Sequence, residues 1–236
     1  MNIKIMSYNT QHCLNFITRK IDFAIIADTI QKCEADIIGL QEMRDQSQDP
    51  EYQPQTKMIA EKLGYPYYYF AEAVRFDGVN PYGNALISRY PIVSAETVLI
   101  PNPEIKKYDG YYETRCLLKA TIGVGDGLNV LVSHFGLNPD EHENAVETVV
   151  ANISKTHCVL MGDFNMEPDN RILHPLMQKL RDTAQYFPVP KFSFPSDNPR
   201  VKIDYIFVSK DLSVQRADIP EIISSDHRPH IATIEL

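Results

Sequence analysis

Polar and apolar residues alternate from Ile3 to Tyr8, the period-2 pattern of a strand with one buried face. Ile21, Ile25, Ile26 and Ile30 then recur at helical spacing and predict an amphipathic helix from about Arg19 to Cys33. Asp36-Ile37-Ile38-Gly39-Leu40 follows as a short apolar run with polar flanks, the mark of a buried strand. Strand, helix, strand over this distance is a crossover unit, which sets its two strands parallel. Their C-terminal ends then share one sheet edge and carry Asn9 and Glu42 to it. Open α/β sheets gather ligands at that edge.

A second helix is predicted over Gln55 to Leu63, closed by Gly64 as a left-handed cap. Tyr67 to Ala73, Ala85 to Ser88 and Ile92 to Ile100 read as strands separated by Pro, Gly and Asn. Thr114 to Ile122 and Leu128 to Ser133 flank Gly123-Val124-Gly125-Asp126-Gly127. No helix follows that glycine cluster and no Lys closes a P-loop, so it reads as a hairpin turn. The crossover pattern then recurs. Leu131-Val132-Ser133-His134 ends a strand, Asn138-Pro139 opens a helix, and Cys158-Val159-Leu160-Met161 is a buried strand running into Gly162-Asp163-Phe164-Asn165. Two mixed sheets packed face to face, with helices outside, would bring both sets of strand exits to one cleft. No linker or charge block interrupts residues 1–236, so one domain is expected.

Composition narrows the classes. Hydrophobic residues at 44% and charged residues at 23% exclude disorder and collagen-like repeats. The net charge of −8 disfavours a partner bound through many phosphates, without excluding a small phosphate substrate. No stretch approaches the ~20 apolar residues of a membrane span, and the first residues lack a signal-peptide core. Cys13, Cys33, Cys116 and Cys158 show no metal-ligand spacing and read as buried reduced thiols, consistent with a cytoplasmic location.

The chemistry-bearing residues are Asn9, Glu42, His134, Asp163, Asn165, Asp204, Asp226 and His227, oxygen donors and imidazoles without a thiolate. Hard oxygen donors favour Mg²⁺ or Mn²⁺ over zinc. Taken singly, each has a plainer reading. Asp163-Phe164-Asn165 reads equally as a capping turn, Ser225-Asp226-His227-Arg228-Pro229 as a solvated loop, Glu42 as a surface carboxylate and His134 as a structural histidine. His12 reads as a loop histidine, and Tyr67-Tyr68-Tyr69-Phe70 as strand packing rather than a stacking platform. Their ordered co-occurrence changes the balance.

Ser7-Tyr8-Asn9, Leu40-Gln41-Glu42, Gly83-Asn84-Ala85-Leu86-Ile87-Ser88, Ser133-His134-Phe135, Gly162-Asp163-Phe164-Asn165, Ile203-Asp204-Tyr205-Ile206-Phe207 and Ser225-Asp226-His227-Arg228-Pro229 follow one another along nearly the whole chain. This series resembles the endonuclease/exonuclease/phosphatase superfamily, magnesium-dependent phosphoesterases of deoxyribonuclease I-like fold. The resemblance implies a four-layer α/β/β/α sandwich, two packed mixed β-sheets flanked by helices. It implies that Asn9, Glu42 and Asp226 hold Mg²⁺, with Mn²⁺ as a substitute. Asp163 would orient and deprotonate the attacking water, and Asn165 would hold the phosphate or that water. His227, paired with Asp204, would face the phosphate, and His134 would contact the phosphate or assist the leaving group. Arg115 and Asn84 would contact substrate, although Arg115 reads equally as an ion-pair residue. Gln11 stands where some nuclease members carry an acid, which favours one metal over two.

The expected function is hydrolysis of a small or lipid-derived phosphodiester or phosphomonoester. A DNA or RNA nuclease is the alternative, through a basic patch around Arg75, Arg89 and Arg115. An inactive scaffold is disfavoured by the complete acidic and histidine set. Phe194-Pro195-Ser196-Asp197-Asn198-Pro199 does not match the inositol polyphosphate 5-phosphatase branch and looks more like the general bacterial-type and sphingomyelinase-like branches.

Overall fold

The computed structural model of the chain describes residues 1–50 and 52–236. Strand β1 (Asn2–Asn9) leads through helix α1 (Phe23–Cys33) to strand β2 (Ile37–Arg44), and β1 and β2 pair in parallel. The predicted crossover is present, but its helix begins later than the apolar period suggested. Asp22 caps it, its carboxylate accepting from the Ala24 and Ile25 amides, while Ile21 forms an isolated bridge to Leu14. Helix α2 (Gln55–Leu63) ends on Gly64 at φ 69°, as expected.

Strands β3 (Tyr67–Phe76) and β4 (Asn80–Ser88) complete one flank of the first sheet. The second sheet begins with β5 (Ile92–Leu99), β6 (Cys116–Ile122) and β7 (Leu128–His134), the last two joined through the glycine turn. Helix α3 (Pro139–Asn152) crosses over to β8 (Cys158–Asp163), parallel to β7. Its start is fixed by a capping box between Asn138 and Glu141. Helix α4 (His174–Lys179), β9 (Leu180–Asp182) and β10 (Asp204–Ser209) follow, then β11 (Ser213–Asp218) and β12 (His230–Glu235). The sheet orders are β11-β12-β1-β2-β4-β3 and β5-β6-β7-β8-β10-β9.

Three apolar layers hold this arrangement. Ile3, Ile5, Ile37 and Leu86 meet Val130, Val132, Val159, Met161 and Ile206 between the sheets. Met6, Tyr8, Ile38, Leu40 and Ile87 pack outward beneath α1 and α2. Leu131, Leu160, Phe164, Tyr205 and Phe207 pack outward beneath α3 and α4. Central strands buried on both faces read as continuous apolar runs, which explains Ile37-Ile38 and Cys158–Met161. The α/β/β/α sandwich is thus as expected. Among the described residues, no helix is long and apolar enough to cross a membrane.

Two glycines let the layers close around the strand exits. A Cβ on Gly39 would stand 2.6 Å from Met161 Sδ of the opposing sheet. A Cβ on Gly162 would stand 1.8 Å from the Ser133 carbonyl oxygen, so β8 lies against β7 there only as glycine. That approach sets Asp163 opposite His134 in the parallel register.

Candidate active site

Both crossovers deliver polar residues to one end of the sandwich. Strand alternation alone would send Glu42 outward, because Leu40 packs beneath the helices and Glu42 shares its face. A bulge between Leu40 and Met43, with Glu42 at φ 61°, corrects this. Met43 returns to the outer layer and Glu42 is turned to the cleft. Gln11, His12 and Cys13 also hold positive φ, at 48°, 46° and 63°, beside the exit of β1. Such conformations cluster where geometry serves a site.

Asn9 joins the two sheets. Its Nδ2 donates to Glu42 Oε1 at 3.0 Å and to Asp163 Oδ2 at 3.0 Å, while its Oδ1 accepts from the Gln11 amide. Tyr82 donates its hydroxyl to Glu42 Oε2 at 2.9 Å, and His12 Nδ1 lies 4.0 Å from that oxygen. Asp163 is buried, and its Oδ1 accepts from the Asn165 amide. The Nε2 atoms of His134 and His227 each lie 3.6 Å from Asp163 Oδ2. His227 Nδ1 donates to Asp204 Oδ2 at 2.8 Å, and the Phe194 ring packs on its imidazole.

The two histidines are tuned in opposite directions. Burial depresses the His134 pKa well below the usual range, helped by the charges of Arg115 and His227. Arg115 Nη1 lies 2.9 Å from His134 Nδ1, and a guanidinium only donates. His134 is therefore neutral with its proton on Nε2, facing Asp163. Burial also pulls on His227, but Asp204, Asp163 and Asp226 outweigh it and hold the ring as a cation. Burial raises the Asp163 carboxyl, Asp204 raises it further, and His227 opposes both.

The other expected residues fall around this group. Arg115 Nη1 is held by Glu113 at 2.7 Å and orients His134 through its Nδ1. Asn165 Nδ2 donates to the Phe135 carbonyl at 3.1 Å and stands 3.2 Å from His134 Nε2, which, carrying its own proton, does not accept from it. Asn84 lines the same small recess with Tyr82, Glu113, Arg115 and His134. Its amide nitrogen, however, donates to the Cys116 carbonyl at 3.0 Å and ties β4 to β6. Asp226 accepts from the Ser225 hydroxyl, and burial together with the charge of Glu42 raises its carboxyl. Tyr82 carries no signal in the sequence, because a tyrosine in a strand resembles packing. His12, which the sequence offers either as a loop histidine or as part of the cleft through its nearness to Asn9, lies beside Glu42.

Metal-holding groups occur on both sides of Asn9. Asp163, Asp204 and His227 present ligand atoms within 4.8 Å of one another. Those atoms are engaged in the buried Asp204–His227 hydrogen bond and the Asn9 contact. Glu42 accepts one hydrogen bond on each oxygen and keeps further lone pairs, and Asp226 brings a second carboxylate. Burial first, and then the charge of Glu42, raise the Asp226 carboxyl, and a cation between the two carboxylates would offset both. Hard oxygen donors of this kind suit Mg²⁺.

The remaining titratable groups are structural. All four cysteines are buried and free, as expected. His142 Nε2 lies 2.8 Å from the Gly136 carbonyl, and His157 lies 3.5 Å from Asp211. His230, fully buried between Thr183 and the Asp204 backbone, has its pKa pulled down to about 4 by burial and by Lys202. The unfolded chain takes up this proton near pH 6.5, so acidification from there toward pH 4 favours unfolding at this site. Urea titrations should show His230→Gln losing less stability over that window than the parent; a steeper loss in the variant would contradict the assignment.

A model of the Endonuclease/Exonuclease/phosphatase family matches residues 6–227. The chain belongs to that family. Members are hydrolases of phosphate-ester bonds. No curated protein sequence matches the chain. Among solved structures it is similar to an endonuclease/exonuclease/phosphatase from Beutenbergia cavernae, with a TM-score of 0.81 and 20% identity over 100% of this chain and 72% of the other. The Bacteroides thetaiotaomicron mannosyl-6-phosphatase Bt3783 aligns with a TM-score of 0.75 and 19% identity, covering 99% of this chain and 100% of the other. ANGEL2, a 2′,3′-cyclic phosphatase seen with adenosine-2′,3′-vanadate, aligns with a TM-score of 0.75 and 17% identity, covering 99% and 95%. At these identities the family member shares their fold.

Proposed function

We propose that the protein is a divalent-metal-dependent phosphoesterase that hydrolyses a phosphodiester or phosphomonoester of a small or lipid-derived substrate. The observation that carries this reading is Asn9 bonded at once to Glu42 and Asp163, which joins an oxygen-ligand side to a buried acid–base side. Asn9, Glu42 and Asp226 would hold Mg²⁺ or Mn²⁺, which supplies charge neutralisation at the phosphate and the leaving oxygen. Asp163 orients the attacking water and takes its proton, a role that its raised carboxyl suits. Cationic His227, oriented by Asp204, faces the phosphate with Nε2. Neutral His134 donates from Nε2 to a phosphate oxygen or the leaving group, and Asn165 steadies the same region. Tyr82 fixes the rotamer of Glu42.

A small substrate is favoured over a nucleic-acid polymer. The arginines grouped as a basic patch are paired, Arg75 with Glu72, Arg89 with Asp36 at 3.3 Å and Arg115 with Glu113. The mannosyl-6-phosphatase among the structural relatives supports the same direction. Hydrolysis of p-nitrophenyl phosphate and its bis-ester, with Mg²⁺ and with EDTA, tests the reading. Turnover is expected only with the metal, and undiminished turnover in EDTA would overturn it. Glu42→Gln should raise the Mg²⁺ concentration at half-maximal rate by roughly tenfold or more, about 1.4 kcal/mol of metal binding.

A further inference from the structure

Beneath the cleft, the facing sides of the two sheets turn from apolar to polar. Ile3, Ile5 and Ile37 face the inter-sheet core, so alternation puts Ser7 of β1 and Gln41 of β2 on the same side, nearer the cleft. Across the gap, Ile206 and Val208 face that core and place Asp204 of β10 on its inner side. All three side chains belong to fully buried residues, each at 0% exposure. Yet Ser7 Oγ, Gln41 Oε1, Gln41 Nε2 and Asp204 Oδ1 meet no protein hydrogen-bond partner among the described residues.

The strands that carry these atoms pair or pack against one another. Gln41 stands opposite Asn9 in the β1–β2 register, and the Asn9 amide touches Asp163. Ser7 stands opposite His230, whose Nδ1 lies 3.3 Å from the Asp204 carbonyl oxygen. Strand β1 packs over β8 and β10, and β2 over β7 and β8. Buried polar atoms without partners are uncommon, and ordered water is a usual partner for such atoms. The set contains a pure donor in Gln41 Nε2, pure acceptors in Gln41 Oε1 and Asp204 Oδ1, and a hydroxyl that does both. The amide hydrogens repel a cation and the carboxylate oxygen repels an anion. Water, which donates and accepts, matches all four.

We propose that Ser7, Gln41 and the unpaired oxygen of Asp204 hold ordered water beneath the Asp163–Asp204–His227 group. Through that water Gln41 is a positioning residue for Asp204, and hence for His227. The kinetic part rests on the phosphoesterase reading; the hydration site itself does not.

A high-resolution crystal structure of the protein should show water within about 2.7–3.2 Å of the Gln41 carboxamide. Gln41→Met, close in size and apolar, separates the cases by kinetics and melting. With the water in place, kcat falls about 10–100-fold with little change in KM, as loss of a supporting partner does. Should the carboxamide have no such role, the variant melts higher and keeps the parent kcat, because an unsatisfied polar group has been removed. That result, or a dry site in the crystal, would overturn the proposal. Ser7→Ala, which leaves the carboxamide in place, gives the same kcat readout should Gln41→Met fail to fold. A parent enzyme without phosphoesterase turnover would defeat the functional reading alone, and the crystal would still decide this one.

Discussion

His227→Ala is expected to lower kcat by roughly 10²–10⁴-fold, the usual consequence of removing a positioned acid–base group. The same change should also destabilise the fold. His227 is the cation between Asp204, 2.8 Å from its Nδ1, and Asp163, 3.6 Å from its Nε2, and both carboxylates are buried. Removing one partner of such a set leaves uncompensated buried charge, worth on the order of 3 kcal/mol. His227→Gln separates the two effects. Its amide can still donate to Asp204 but cannot carry charge, so it should recover part of the lost stability and little of the lost rate. Steady-state kinetics beside urea unfolding of both variants reads this directly. Parent-like turnover in either would remove His227 from the chemistry.

Much of this group was legible because strand exits are legible. A buried apolar run ending in a polar residue fixes where a side chain leaves the sheet, and residue types alone place Asn9, His134 and Asp163 at such exits. The two crossovers followed from periodicity, and the α3 start from Asn138-Pro139 and its capping side chain. What escaped was non-local or conformational. Strands β11 and β12 went unread because six residues of mild alternation carry little signal, although β12 pairs with central β1. The apolar period runs past the start of helix α1, because Ile21 fits it but belongs to a bridge. The bulge at Glu42 cannot be seen in residue types, since a positive φ at a glutamate has no letter of its own. Arg115 reads from sequence equally as a phosphate contact or an ion-pair residue; its pair with Glu113 is local, while its contact with His134 arises only once β6 lies beside β7.

Asp163→Asn should be about as damaging to turnover as His227→Ala, roughly 10²–10⁴-fold, but with the opposite signature in stability. The substitution removes a carboxylate that is disfavoured chiefly by its burial and also by Asp204, against the attraction of His227, which keeps Asp204 as its partner. An amide oxygen can still accept from Asn9 Nδ2. The fold should therefore melt at the same temperature as the parent or higher, the trade between stability and activity found where a site concentrates like charge. Loss of that carboxylate also takes away one of the charges that hold His227 protonated, so the alkaline limb of the pH–rate profile should move to lower pH. An unchanged alkaline limb with a large rate loss would show that Asp163 and His227 do not sense one another. The double variant Asp163→Asn/His227→Ala tests the same coupling without reference to pH. Asp163 and the His227 cation each set the other's charge state, so their losses overlap and the double variant should be less slow than the product of the two single losses. Multiplying losses would mean that the two residues act in separate steps.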